Sequence, residues 1–80
     1  MPYISQEARK AIDVGVNPTT SGELTYAIYQ LIFQYWKNNK GLGFGAIAHI
    51  LGALDSAHQE FYRNIVVPYE DAKKQEHGDI

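Results

Sequence analysis

Asp55 and His58 stand three residues apart, a spacing that puts a carboxylate and an imidazole side by side on a helix. That pair is half of the carboxylate-bridged metal site found in helical bundles, which needs further carboxylates from facing helices. Glu23 is the only obvious donor on the second helix, and His58 also falls on an apolar stripe. The expected role of His58 is therefore a core histidine with a hydrogen-bond partner. His49 does not share its face, and His49 and His77 read as solvent residues. The chain has no cysteine, which removes a thiol nucleophile and a thiolate zinc site. Ser56 adjoins His58 in sequence but points to a different helix face. Gly41-Leu42-Gly43-Phe44-Gly45 lacks the Gly-Lys-Ser/Thr ending and the preceding strand of a phosphate loop. It reads as a helix–helix turn, although the helix start after Gly43 offers free N–H groups to an anion. No catalytic residue, cofactor or metal is expected, and the chain reads as a non-enzymatic protein.

The most distinctive stretch is Glu60 to Asp71, where aromatic rings, an arginine and acids surround Pro68. Arg63 can fork onto a phosphate or carboxylate, or pair with Glu70 or Asp71 if the chain bends back at Pro68. Two roles follow: an ion-paired hinge that holds the tail, or a polar-aromatic ligand site beside the bend.

These residues need helices to position them. Ser5 can cap a first helix over about 5–14, which Gly15 and Pro18 end. Thr20-Ser21-Gly22-Glu23 reads as a capping box, with Thr20 accepting from the Glu23 backbone and the Glu23 side chain reaching back to Thr20. It opens a second helix over about 21–39, with Gly41 as its left-handed cap. A third helix over about 44–67 carries Ile47, Leu51, Leu54, His58, Phe61 and Ile65 as one stripe. Pro68 ends or kinks it and can open a short last helix over about 68–76. The expected fold is all-α: one domain over 1–80, a small bundle of three main helices plus a short C-terminal helix.

The second helix has two apolar faces. Leu24, Ala27, Ile28, Leu31 and Tyr35 form one, and Tyr26, Tyr29, Phe33 and Trp36 another. Such a helix belongs inside something. Either the terminal segments fold over the aromatic face, or Tyr29, Phe33 and Trp36 meet another subunit or ligand. An 80-residue chain has a marginal core and no disulfide to reinforce it, so a homo-oligomer is the expected partner state.

Seven Lys/Arg against nine Asp/Glu give a net charge of -2, which argues against nucleic-acid binding. No signal peptide is visible at the N-terminus, and the stretch from Leu24 to Trp36 is too short to span a bilayer. The expected location is the cytoplasm, away from membranes.

Blocks along nearly the whole chain resemble a family of small uncharacterised proteins recurrent in tailed-bacteriophage genomes and gut metagenomes. They are Met1-Pro2-Tyr3-Ile4, Gly22-Glu23-Leu24-Thr25-Tyr26, Gly52-Ala53-Leu54, Glu60-Phe61-Tyr62-Arg63, Pro68-Tyr69-Glu70-Asp71 and Gly78-Asp79-Ile80. The family pattern usually shows a second Arg where this chain has Asn64, and an Asn where it has His77. The resemblance implies a phage context, with the chain acting in the cytoplasm of the infected host, and a protein that works by binding. Some small phage proteins oligomerise and sequester nucleotide-derived immune signals, an anti-defence role. A site of that kind needs rings to stack on bases and donors for phosphates. The ligand-binding candidates here are Tyr26, Tyr62, Arg63, Tyr69, Glu70 and Asp71, with Tyr29, Phe33 and Trp36 as the oligomer interface. The alternative is an interaction module that binds or inhibits a host protein.

Overall fold

The computed structural model describes residues 4–78, and every regular element among them is helical. Helix α1 runs Gln6–Asp13 behind Ser5, whose Oγ accepts from the Ala8 N–H at 3.0 Å. Glu7 in its first turn and Lys10 in its last complement the helix dipole. It ends in a Schellman turn: Gly15 donates to the Ile12 carbonyl and Val16 to the Ala11 carbonyl, each at 3.0 Å. The turn requires a left-handed residue, and Gly15 supplies φ 100°.

Helix α2 runs Ser21–Asn38, and the Thr20 Oγ1 accepts from the Glu23 N–H at 3.1 Å. The other half of the expected capping box moves back by one residue. The Glu23 carboxylate accepts from the Thr19 N–H at 3.1 Å and the Thr19 hydroxyl at 3.2 Å. Thr19 offers the carboxylate two donors at once, its backbone N–H and its hydroxyl, while the Thr20 hydroxyl oxygen accepts from the helix start. The helix end also differs from expectation. The Asn39 side chain donates to the Tyr35 carbonyl at 2.8 Å, and a single 3-10 turn over Lys40–Leu42 follows. The positive φ then falls at Gly43, at 58°, and not at Gly41.

Helix α3 runs Phe44–Phe61 and passes without a break through a π-helical segment, Tyr62–Val66, into α4, Val67–His77. Pro68 therefore neither ends the helix nor starts a separate one. A proline inside an α-helix removes one N–H and drives its ring against the carbonyl four residues back. Widening the preceding turn to i→i+5 bonding relieves that clash while the chain stays helical. Pro68 sits in the first turn of α4.

The described residues fall into two compact units, the first up to Ile47 and the second from Ala48. In the first, α1 packs on α2. Ala8, Ala11 and Ile12 of α1 and Ala27 and Phe33 of α2 are half-buried around Tyr26, whose ring is 6% exposed. Gln30, half-buried one turn further along α2, turns inward to the Tyr26 hydroxyl. Ala46, one turn into α3, is fully buried. The second unit is helix from Ala48 to His77, and almost every side chain in it is exposed.

Candidate functional site

The π segment of the second unit borders an open hollow. Side chains four apart on a helix stack on one face, so His58 lies beside Tyr62 and Gln59 beside Arg63. Together with Val67 they line an open hollow of about 420 Å³. Arg63 pairs with Glu60 at 3.2 Å, and the Asn64 amide donates to the other Glu60 oxygen at 3.3 Å. Both partners of the ion pair are mostly exposed, so an anion could draw the guanidinium away at little cost. The bend that was to bring Arg63 onto Glu70 or Asp71 does not form, because the helix continues past Pro68.

The remaining sequence candidates fall in different places. Tyr69 is exposed one turn further on, with the Lys73 ammonium 5.7 Å from its ring centre. Glu70 and Asp71 are exposed in the first turns of α4. Tyr26 belongs to the first unit, where its ring is buried and its hydroxyl donates to Asp13 at 3.0 Å. The Arg9 guanidinium lies over that ring at 5.8 Å, and its Nε is buried with no hydrogen-bond partner. Ile12, Asp13, Ala27, Gln30, Leu31 and Gln34 line a second open hollow, of about 570 Å³, beside this network.

On α2, Tyr29, Phe33 and Trp36 form a ladder of rings. Tyr29 stacks on Phe33 with centres 6.1 Å apart, and Phe33 meets Trp36 at 5.8 Å. Lys37 lies over Phe33 at 5.8 Å and Lys40 over Trp36 at 4.6 Å. The two ammonium groups thus cover the C-terminal end of the ladder, a geometry that ring quadrupoles favour. Phe33 and Trp36 are half-buried and Tyr29 is exposed.

His58 departs from its expected place in a core; it is exposed and faces the hollow. His58, Gln59 and Val67 were not read as site residues from the sequence. The i, i+4 spacings were legible and Val67 was expected as the last residue of the same helix; the π-helical winding over Tyr62–Val66 that precedes it was not. Asp55 accepts from the Gln59 amide at 3.0 Å. Among the described residues no group of three His, Asp or Glu is placed to hold a metal ion. No helix among them is long and apolar enough to cross a membrane.

A family model described as a domain of unknown function, DUF6899, matches residues 1–80. The chain belongs to the DUF6899 family. No curated protein and no solved structure matches it. In this DUF6899 chain, two helix surfaces bring aromatic and charged side chains together: the Tyr62–Arg63 hollow and the aromatic ladder of α2.

Proposed function

We propose that this protein is a non-enzymatic, homo-oligomeric binding protein. The observation that carries the reading is the stripe on the long helix. Leu51 is 60% exposed, Phe61 61% and Ile65 55%, on one face with Ile47 and Leu54. Burying a large apolar side chain gains about 1.5–3 kcal/mol, so a row of them in water favours association. The ligand that best suits the Tyr62–Arg63 hollow carries a flat ring and an anionic group, as a nucleotide does. Tyr62 offers a stacking face, Arg63 a planar fork for phosphate, and Gln59 a further polar contact. Tyr69, Glu70 and Asp71 extend the polar surface along the helix, whereas Tyr26 is occupied in the core and is left out of the ligand site. The sequence resemblance supports a setting in phage-infected bacterial cytoplasm, where sequestering a nucleotide-derived signal would serve as anti-defence.

A light-scattering mass of the full chain tests assembly: a mass of two chains or more is expected, and a single chain's mass at about 100 μM would refute it. A thermal-shift screen with linear and cyclic nucleotides at about 1 mM tests the ligand. Binding to the folded state alone must raise the midpoint, and Arg63→Ala should abolish the rise. The ladder Tyr29–Phe33–Trp36 favours a second reading, a module that binds a host protein through these rings. Retention of a host protein by the wild type but not by Phe33→Asp would support it.

A further inference from the structure

The stripe on the long helix alternates steps of four and three residues: Ile47, Leu51, Leu54, His58, Phe61, Ile65. The steps average 3.6 residues, the period of an α-helix, so the six positions hold one straight face along which a second helix can lie. The spacing also reads the same in both chain directions. An antiparallel second copy therefore sets Leu51 against its Phe61, Leu54 against its His58 and Ile47 against its Ile65. The two inner pairings use residues of α3 alone, where the helix is regular; Ile65 lies in the π segment, at the looser margin. The same register sets Phe44, the first residue of α3, against Pro68. The charged run from Glu70 to His77 is left outside the contact.

The geometry points to self-association of this chain as an antiparallel helix pair, centred between Leu54 and His58. This rests on the homo-oligomer reading above and adds its direction and register. Charge placement favours it over the parallel alternative. In a parallel pair, His58 would face its own copy and put two imidazoles in one layer of the seam. In the antiparallel pair each His58 meets an apolar Leu54, and the Asp55 beside that leucine supplies an acid at the seam's edge. Glu60 comes level with Gly52, and neither acid of the overlapping segment is set against an acid within the seam. A single polar residue in such a seam is a known means of fixing register.

The chain has no cysteine, so introduced thiols report contacts cleanly. Under mild oxidation the full-length double variant Leu54→Cys/His58→Cys should convert nearly completely to a covalent dimer. Leu54→Cys or His58→Cys alone should give almost none. Strong cross-linking by either single variant would mean parallel pairing and overturn the inference while leaving the homo-oligomer intact. A single chain's mass for the wild type would remove both. Should the thiol variants lose helicity, charge complementation gives an independent answer. Leu51→Asp and Phe61→Lys should each be monomeric, and an equimolar mixture should recover at least tenfold tighter association than either alone. Lack of recovery from folded single variants would overturn the register.

Discussion

The Tyr26 hydroxyl donates to the carboxylate of Asp13, lying 3.0 and 3.2 Å from its two oxygens, and so ties the first third of α2 to the last residue of α1. Gln30 donates its amide to the same phenol oxygen, and Arg9 rests on the ring. One side chain thus joins the two helices both through a buried ring and through a hydrogen bond between them. Tyr26→Phe keeps the ring and removes the hydroxyl. A hydrogen bond to a charged partner is worth about 1.5–3 kcal/mol, and this one is partly solvated, so a loss of about 1–2 kcal/mol is expected. Tyr26→Ala should cost about 3–5 kcal/mol and unravel the α1–α2 contact. Thermal unfolding at fixed protein concentration distinguishes the two, at roughly 4–8 °C per kcal/mol for a domain of this size.

Two glycines should respond in opposite directions. Gly15→Ala places a Cβ at φ 100°, and a left-handed conformation costs an L-residue about 1–2 kcal/mol. Gly52 has ordinary helical geometry inside α3, and a Cβ there would meet nothing within 4 Å. Gly52→Ala should stabilise the helix by about 1 kcal/mol. A chemical-denaturation midpoint that fell for both would contradict this assignment of backbone geometry.

The start of α2 rests on a division of labour between two threonines. Thr20→Ala removes the acceptor for the Glu23 N–H and should cost about 1 kcal/mol. Thr19→Ala removes only the second donor to the Glu23 carboxylate, at 3.2 Å, and should cost a few tenths at most. Circular dichroism through the thermal transition would rank them; equal losses would count against the shifted capping box.

Pro68 is the stated cause of the π segment. Pro68→Ala restores the missing N–H and removes the ring from the preceding turn. Residues 62–66 should then wind as ordinary α-helix. Amide exchange across the segment should slow by about tenfold or more, since a proline inside a helix costs up to about 3 kcal/mol. The change of winding also rotates Val67 relative to His58, so a ligand held by Arg63 should bind more weakly. Unchanged exchange would show that the π segment has another cause.

Much of this architecture was readable from residue types alone. Ser5 and Thr20 are N-caps because a free side-chain oxygen next to a helix start has one obvious partner. Gly15 closes α1 because glycine takes the left-handed turn without the cost a Cβ would add. The apolar stripe from Ile47 to Ile65 was visible from spacing. Errors arose where two local solutions compete. Gly41 and Gly43 can each reverse the chain, and the Asn39 side chain together with the 3-10 turn selects Gly43. Proline can stop a helix or be absorbed by it, and the widened turn before Pro68 absorbs it.

The sequence by itself determined that this chain is helical, where most helices begin, and that it carries more apolar surface than its length would hide, because caps, periodicity and composition act over a few residues. Only the tertiary structure decided which surface is spent. It turned Tyr26 and Gln30 inward, left the Leu51–Phe61 stripe in water, and carried the third helix on past Pro68. Those outcomes depend on which neighbour reaches a face first, and that competition is not written in any single segment.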